Sequence, residues 1–470
     1  MKNMKKIFAL LLVLVLVLAV SAPAFAEDPA AGTITVTAPS GGNSTDVYTY
    51  SIYKVFDATS NGSSSAISYT VMASKAGEAL PAGFVRDSAG NVIHGTKDAS
   101  TGVVTPSAAT ELTAEEIAAI KAYLGPDAPV ATATANPGGT ATFSGLDYGY
   151  YYISTTLGTA VTVDSNNPTA AVNDKNTVPV LTKAATGADV GSIDAAGANA
   201  IAQVGTDLTF TATITVGNGA VNYKFHDKMS SGLSFKGNSS VTVSGVAADQ
   251  YTLQATPDSG DDLTIAFVDG IASGTVITIS YKATVTSDAL QTDPANNTAS
   301  LDYGEDYHTT QQTVDVYNAS FTVSKVDGDN APLAGAGFVI SKTESGAVKY
   351  YKLESGVISW VDDIAEATEL TTAVSGGEAK VTFTGLADGT YTLIEKTVPS
   401  GYNKAADQDF TIAAADVSEA NLTQTASVVN KAGTELPSTG GIGTAIFYSI
   451  GGILVVGAAV VLVARKRVSE

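Results

Sequence analysis

An apolar run from Ile442 to Ala464, followed at once by Arg465-Lys466-Arg467, limits what this chain can fold into more than any other feature. About 20 apolar residues cross a bilayer as a helix, and trailing cations favour the cytoplasmic side. The bulk of the chain then belongs on the opposite face. The amino end agrees. Lys2, Lys5 and Lys6 precede an apolar stretch from Ile7 to Val20, and Ala24-Phe25-Ala26 follows as an A-x-A cleavage pattern. Residues 1–26 therefore read as a secretory signal peptide, with Glu27 opening the exported part.

That exported part is roughly 400 residues, too long for one core and right for two to four domains. The chain has no cysteine, so an exported protein of this kind must hold itself together without disulfides. Acidic residues outnumber basic ones by 46 to 25, giving a net charge of -21. Phosphate binding requires a basic face, so nucleic acid is excluded as a partner. The three histidines, His94, His226 and His308, share no metal-ligand spacing, and neither a metal nor a cofactor is expected.

Thr33-Ile34-Thr35-Val36-Thr37 and the run from Leu208 to Val216 alternate apolar and polar residues with many β-branched side chains. Such period-two runs, recurring between Gly, Asn and Asp turns, predict half-buried strands stacked as β-sandwiches. One helix interrupts them. Thr113-Ala114-Glu115-Glu116 forms a capping-box pattern ahead of Ile117, Ile120 and Leu124, and Gly125-Pro126 ends it. New strands beginning near Lys183 and Lys325 mark boundaries. The expected fold is all-β: three tandem sandwich domains at 27–177, 178–318 and 319–431, then residues 432–470 with a transmembrane helix at 442–464.

Leu436-Pro437-Ser438-Thr439-Gly440 stands just before the apolar run. It resembles the LPXTG sorting signal of Gram-positive surface proteins. The resemblance implies that a sortase cysteine cleaves between Thr439 and Gly440 and passes the Thr439 carbonyl to an amine. It also implies a surface protein anchored to the peptidoglycan of the cell wall.

Residues Phe321 to Asp327, then Gly385-Leu386-Ala387-Asp388-Gly389-Thr390-Tyr391-Thr392-Leu393-Ile394-Glu395, then Ala426-Ser427-Val428-Val429-Asn430-Lys431, resemble the prealbumin-like CnaB domains of Gram-positive pilins and adhesins. In that family a strand lysine, an E-box glutamate and a final-strand asparagine make an intramolecular isopeptide bond, and Lys325, Glu395 and Asn430 match those positions. The residue types suit the chemistry. An amine is nucleophilic only when neutral, and burial drives it there. A carboxyl stripped of water tends to keep its proton, and can polarise the amide and serve the departing ammonia.

The second domain resembles the CnaA type, in which an aspartate takes the glutamate's part. Lys183, Asp227 within Tyr223-Lys224-Phe225-His226-Asp227-Lys228-Met229, and Asn297 match it, with the adjacent Asn296 an open alternative. In the first domain Tyr48 to Phe56 resembles the early strand of pilin N-terminal domains. Lys54 takes the lysine position there and Asn176 the acceptor's. Gly149-Tyr150-Tyr151-Tyr152-Ile153-Ser154 ends in Ser where an acid belongs, which leaves a bond there open.

Val172-Asn173-Asp174-Lys175-Asn176 resembles the pilin motif of polymerising subunits, with Asp174 in place of the usual Pro. The resemblance implies that Lys175 attacks the thioester joining another copy's Thr439 to sortase. The function implied is a structural backbone subunit of a covalent pilus, which is not a turnover enzyme. Its partners would be further copies, minor pilins, pilus and housekeeping sortases, and peptidoglycan. The competing class is a wall-anchored adhesin or minor pilin gripping a host ligand.

Overall fold

The computed structural model describes residues 32–60, 67–109, 111–158, 161–164, 169–187, 191–192, 199–219, 221–290, 294–413, 423–434 and 442–468. The signal segment 1–26 and Leu436 to Gly440 lie outside the described residues.

Alternation in the sequence becomes alternation of burial. In the strand Asp207–Thr215, Leu208, Phe210, Ala212 and Ile214 all face inward, while Thr209, Thr211 and Thr213 face outward. The strand Ala295–Tyr303 repeats the pattern with Ala295, Asn297, Ala299, Leu301 and Tyr303 inside. A half-buried pleated surface selects this period of two, and pairs of such sheets close over shared cores.

Among the described residues six sheets form, two in each of three consecutive segments. In the first, the strand Gly32–Thr37 lies between Thr169–Asn173, which runs parallel to it, and Thr140–Leu146. The facing sheet is built around Tyr48–Ser60 and Gly149–Thr155. In the second, Val180–Thr186 edges a sheet through Asp207–Thr215 and Val276–Val285. Opposite it, Lys224–Met229 pairs with Ala295–Tyr303, which pairs with Gln312–Tyr317. In the third, Ala319–Asp327 runs parallel to Thr423–Asn430, and Gly389–Thr397 belongs to the facing sheet.

Among the described residues two α-helices stand apart from the sheets. In α1 (Ala114–Leu124) the Thr113 side chain accepts from the Glu116 N–H at 3.2 Å, and Glu116 Oε2 accepts from the Thr113 N–H at 2.7 Å. This is the reciprocal cap expected from the sequence. Its buried residues Ile120, Tyr123 and Leu124 close a small core with Phe56, Phe84 and Tyr150. α2 (Ile442–Val468) contains the stretch Ile446–Lys466, long and apolar enough to cross a membrane. Phe447, Leu454, Val455 and Leu462 are all open to the surroundings, as lipid-facing side chains would be.

The segments abut through side-chain and backbone contacts rather than through shared sheets. Tyr307 of the second donates to the Val47 carbonyl at 3.0 Å, and its ring meets Tyr48 edge-on at 5.2 Å. Trp360 of the third donates through Nε1 to Gln203 Oε1 at 2.5 Å. The buried apolar cluster runs through all three segments.

Candidate functional site

Lys183 lies on the inward face of Val180–Thr186, and its side chain has no exposed surface. Across the core, Asp227 sits opposite Ala299 in the facing sheet, so Asn297, two residues away on that strand, shares Asp227's face. The period of two settles which asparagine is inside. Asn297 is fully buried, whereas Asn296 points to the partly exposed face.

Lys183 Nζ donates to Asp227 Oδ2 at 2.5 Å. Tyr281 donates its hydroxyl to the same oxygen. Asn297 Nδ2 in turn reaches the Tyr281 oxygen at 3.4 Å. Burial raises the Asp227 carboxyl above its usual range, and burial also brings Lys183 down to about 8 against the pull of Asp227. Both shifts drive the pair toward its neutral form, the one in which the amine carries a free electron pair. Asp227 Oδ1 and Asn297 Oδ1 are buried without a hydrogen-bond partner, a costly arrangement that structural packing alone would not favour. Tyr281 was not singled out by sequence. Its only signal there is an inward position in the alternating run Val276–Val285.

The third segment assembles the same three residue types differently. Lys325 and Asn430 belong to neighbouring parallel strands of one sheet; Lys325 pairs with Val428, and Asn430 follows two residues later on the same face. Glu395 approaches from the opposite sheet. All three are buried. Asn430 Nδ2 donates to Glu395 Oε1 at 2.7 Å, and the Ala405 N–H donates to Glu395 Oε2 at 2.7 Å. Lys325 Nζ finds two backbone carbonyls, Val326 at 2.7 Å and Val428 at 3.2 Å. Burial lowers its pKa. Asn430 Oδ1 is unpartnered, as Asn297 Oδ1 is in the second segment. Each site thus holds an amine pushed toward neutrality, a buried carboxyl group and a buried side-chain amide. That set can join amine to amide carbon with loss of ammonia.

The pair expected in the first segment is not brought together. Lys54 ion-pairs with Asp57 at 2.8 Å, and its stem packs where a Cβ on Gly149 would come within 2.6 Å of Cε. Asn176 instead donates through Nδ2 to Asp174 Oδ1 at 2.8 Å. With Ser154 ending the E-box stretch, no inward acid on Gly149–Thr155 draws the two toward a common core.

Lys175 occupies a different kind of place. It is exposed, between the buried Asp174 and Asn176. Asp174 Oδ1 accepts from the Asn176 backbone N–H at 2.9 Å as well as from its side chain, and Oδ2 accepts from Tyr50 at 2.8 Å. Burial raises the Asp174 carboxyl's pKa. Asn218 of the second segment donates to the Lys175 carbonyl at 2.7 Å. The backbone on both sides is therefore held while the amine projects, meeting Glu111 at 3.6 Å. Asp174 thus restrains the loop by hydrogen bonds.

No metal-ligand spacing links the histidines, yet the fold gathers His226, Asp258 and Asp261. Both ring nitrogens of His226 are engaged, Nδ1 with Asp261 at 2.7 Å and Nε2 with Asp302 at 3.0 Å. Asp302, together with Asp261, raises the imidazole to about 8. The group is accounted for as a cation clamped between carboxylates.

Two parts of the chain match known families. Residues 319–431 match the SpaA prealbumin-like fold domain, and residues 428–470 match the LPXTG cell wall anchor motif. The carboxyl end is thus a cell-wall anchor, and the chain is an anchored surface protein. Among solved structures it is similar to the T6 backbone pilin of serotype M6 Streptococcus pyogenes. Identity is 19%, covering 83% of this chain and 81% of that one, with a TM-score of 0.50. It is also similar to the major pilin SpaD from Corynebacterium diphtheriae, at 16% identity over 86% and 98% of the two chains and a TM-score of 0.45. The group B streptococcus pilus 2b backbone protein is 26% identical over 51% and 97%, with a TM-score of 0.41. No curated protein matches the chain's sequence. The likeness to the T6 pilin, described as a modular three-domain structure, shows the all-β fold.

Proposed function

We propose that this chain is the backbone subunit of a covalently polymerised surface pilus. Sortase joins Thr439 of one copy to Lys175 of the next, and internal bonds Lys183–Asn297 and Lys325–Asn430 brace each copy. The observation that carries the reading is the setting of Lys175. A solvent-reaching amine is mounted on backbone clamped by Asp174, Asn176 and Asn218, at the junction of two segments. An ordinary surface lysine needs no such mounting; a nucleophile that must meet a bulky thioester benefits from it, since a held geometry supplies part of the barrier.

The internal bonds are supported by two buried lysine, acid and asparagine sets, each ending on an amide oxygen without a partner. In each, lysine Nζ attacks the asparagine Cγ, the Cγ–Nδ2 bond breaks, and one amine proton ends on the departing ammonia. The chain does this once per bond and turns nothing over. Further copies, sortases and peptidoglycan are the partners this role requires.

The test is tandem mass spectrometry of wall-extracted material for a peptide in which the Thr439 carbonyl is joined to Lys175 Nζ. Detergent-resistant ladders of high-mass species should accompany it and disappear in Lys175→Ala. Ladders that persist in that variant would assign the link to another lysine.

A further inference from the structure

The two braced segments differ in how the acid reaches the amide. In the third, Glu395 Oε1 touches Asn430 Nδ2 directly at 2.7 Å. In the second, Asp227 Oδ2 is occupied by Lys183 and by the Tyr281 hydroxyl, and the contact with Asn297 Nδ2 is made by the Tyr281 oxygen at 3.4 Å. We infer that Tyr281 is a catalytic residue of the second segment, carrying the proton from Asp227 to the nitrogen that leaves as ammonia. The role rests on the proposed Lys183–Asn297 bond.

Every atom in the route is on hand. Lys183 Nζ forms its bond to Asn297 Cγ while the Cγ–Nδ2 bond breaks. A proton from Nζ passes to Asp227 across their 2.5 Å contact. The Asp227 proton passes to the Tyr281 oxygen, and the Tyr281 hydroxyl proton passes to Nδ2. The two hydrogen bonds reverse direction, and acid and phenol finish as they began. No outside base or solvent is needed, which suits a site where Asp227, Asn297 and Tyr281 are all buried. The 3.4 Å span is long for a resting hydrogen bond, as contacts of catalytic groups often are before reaction.

Packing alone would not call for a hydroxyl here. The ring of Tyr281 already stacks on Phe210 at 5.9 Å and meets Phe225 at 6.5 Å, work that phenylalanine would do equally. Burial and the neighbouring Asp227 hold the phenol well above its usual pKa, so it remains a proton donor rather than a phenolate.

The experiment follows the full-length chain after a short pulse of synthesis. Samples are digested at intervals, and the Lys183–Asn297 and Lys325–Asn430 branched peptides are quantified by mass spectrometry. In Tyr281→Phe the first peptide should form on the order of a hundredfold more slowly, the scale of a lost proton-transfer catalyst, while the second keeps its normal rate. Replacing Tyr281 with a difluorotyrosine, which retains the hydroxyl and the fold but acidifies the phenol, should shift the rate of the first peptide alone. A Phe variant that bonds at the wild-type rate overturns the role. So does a slow Phe variant paired with a difluorotyrosine chain at the wild-type rate, since that pattern marks packing only. Absence of the first peptide from the wild-type chain overturns the Lys183–Asn297 bond itself, and a failed relay would leave that wild-type peptide intact.

Discussion

Lys325 and Asn430 lie on the two parallel, hydrogen-bonded strands that open and close the third segment, on the same inner face and two register positions apart. A bond between them would tie the point where tension enters to the point where it leaves. Lys183 and Asn297 instead belong to opposite sheets, so their bond would rivet one layer to the other. One chemistry thus gives two mechanical results, according to whether the partners are neighbours within a layer or face each other across it.

Glu395→Gln keeps the size of the side chain and removes its capacity to exchange a proton. The Lys325–Asn430 bond should then fail, and the secreted chain should gain the mass of one ammonia, with Lys183–Asn297 unaffected. The lost link had closed nearly the whole segment as a loop, so its unfolding free energy should fall by about 4–5 kcal/mol on loop-entropy grounds. Intact mass and denaturant titration measure the two effects. A bonded Glu395→Gln chain would remove the carboxyl from the mechanism.

Asn296 and Asn297 separate by a single residue and by the whole thickness of a strand. Asn297→Ala should abolish the second-segment bond, whereas Asn296→Ala, on the partly exposed face, should leave the mass unchanged and stability within about 0.5 kcal/mol. Peptide mapping around Lys183 distinguishes the two, and a branched peptide ending on Asn296 would reverse the assignment.

Strand positions were legible from alternation because one face of each sheet is buried, and a one-residue slip would turn Leu208 and Phe210 outward. α1 was legible from its cap because Thr113 and Glu116 satisfy each other locally. Lys183, Asp227, Asn297, Lys325, Glu395 and Asn430 were named through the resemblance to CnaA and CnaB domains, and all six are buried. What local patterns could not convey is anything set by the pairing of distant strands. Tyr281 resembles any inward aromatic until Asp227 and Asn297 are brought beside it. Lys54 resembles Lys325 in sequence, but the strand Gly149–Thr155 beside it carries no acid and it turns to Asp57. His226 gathers partners from loops and strands 32 to 76 residues away, which no spacing motif could encode.

Asp174→Ala should weaken polymerisation without touching the nucleophile. It frees the Asn176 amide groups and the Tyr50 hydroxyl that Asp174 now binds, so the backbone beside Lys175 loses part of its anchoring. A misplaced nucleophile reacts more slowly by on the order of tenfold to a hundredfold. Pulse-labelled ladders should therefore build up slowly, while wall-anchored single copies, which use only the sorting signal, stay at normal abundance. Asp174→Asn, which keeps one acceptor oxygen for Asn176, should recover part of the rate. Unchanged ladder kinetics in Asp174→Ala would show that Lys175 needs no clamp.

His226 gives the second segment a pH dependence whose sign can be worked out. Hydrogen bonds donated to Asp302 and Asp261 raise its folded-state pKa to about 8, against 6.5 for a free imidazole. A group with a raised folded pKa contributes its full stabilisation below the unfolded value and loses it as pH climbs through the folded one. The melting temperature of the second segment should accordingly be level below pH 6.5 and fall between 6.5 and about 8. The strands Lys224–Met229 and Ala295–Tyr303 carry His226 and Asp302 as near neighbours, so the loss should loosen the sheet that holds Asp227 and Asn297. In His226→Gln the decline should vanish, because glutamine carries no group that titrates in this window. Once the Lys183–Asn297 bond has formed, Lys183 no longer titrates in this window, and fully bonded chain isolates the histidine's share. A wild-type melting temperature that stays flat across the window would mean that Asp261 and Asp302 do not hold the imidazolium in solution.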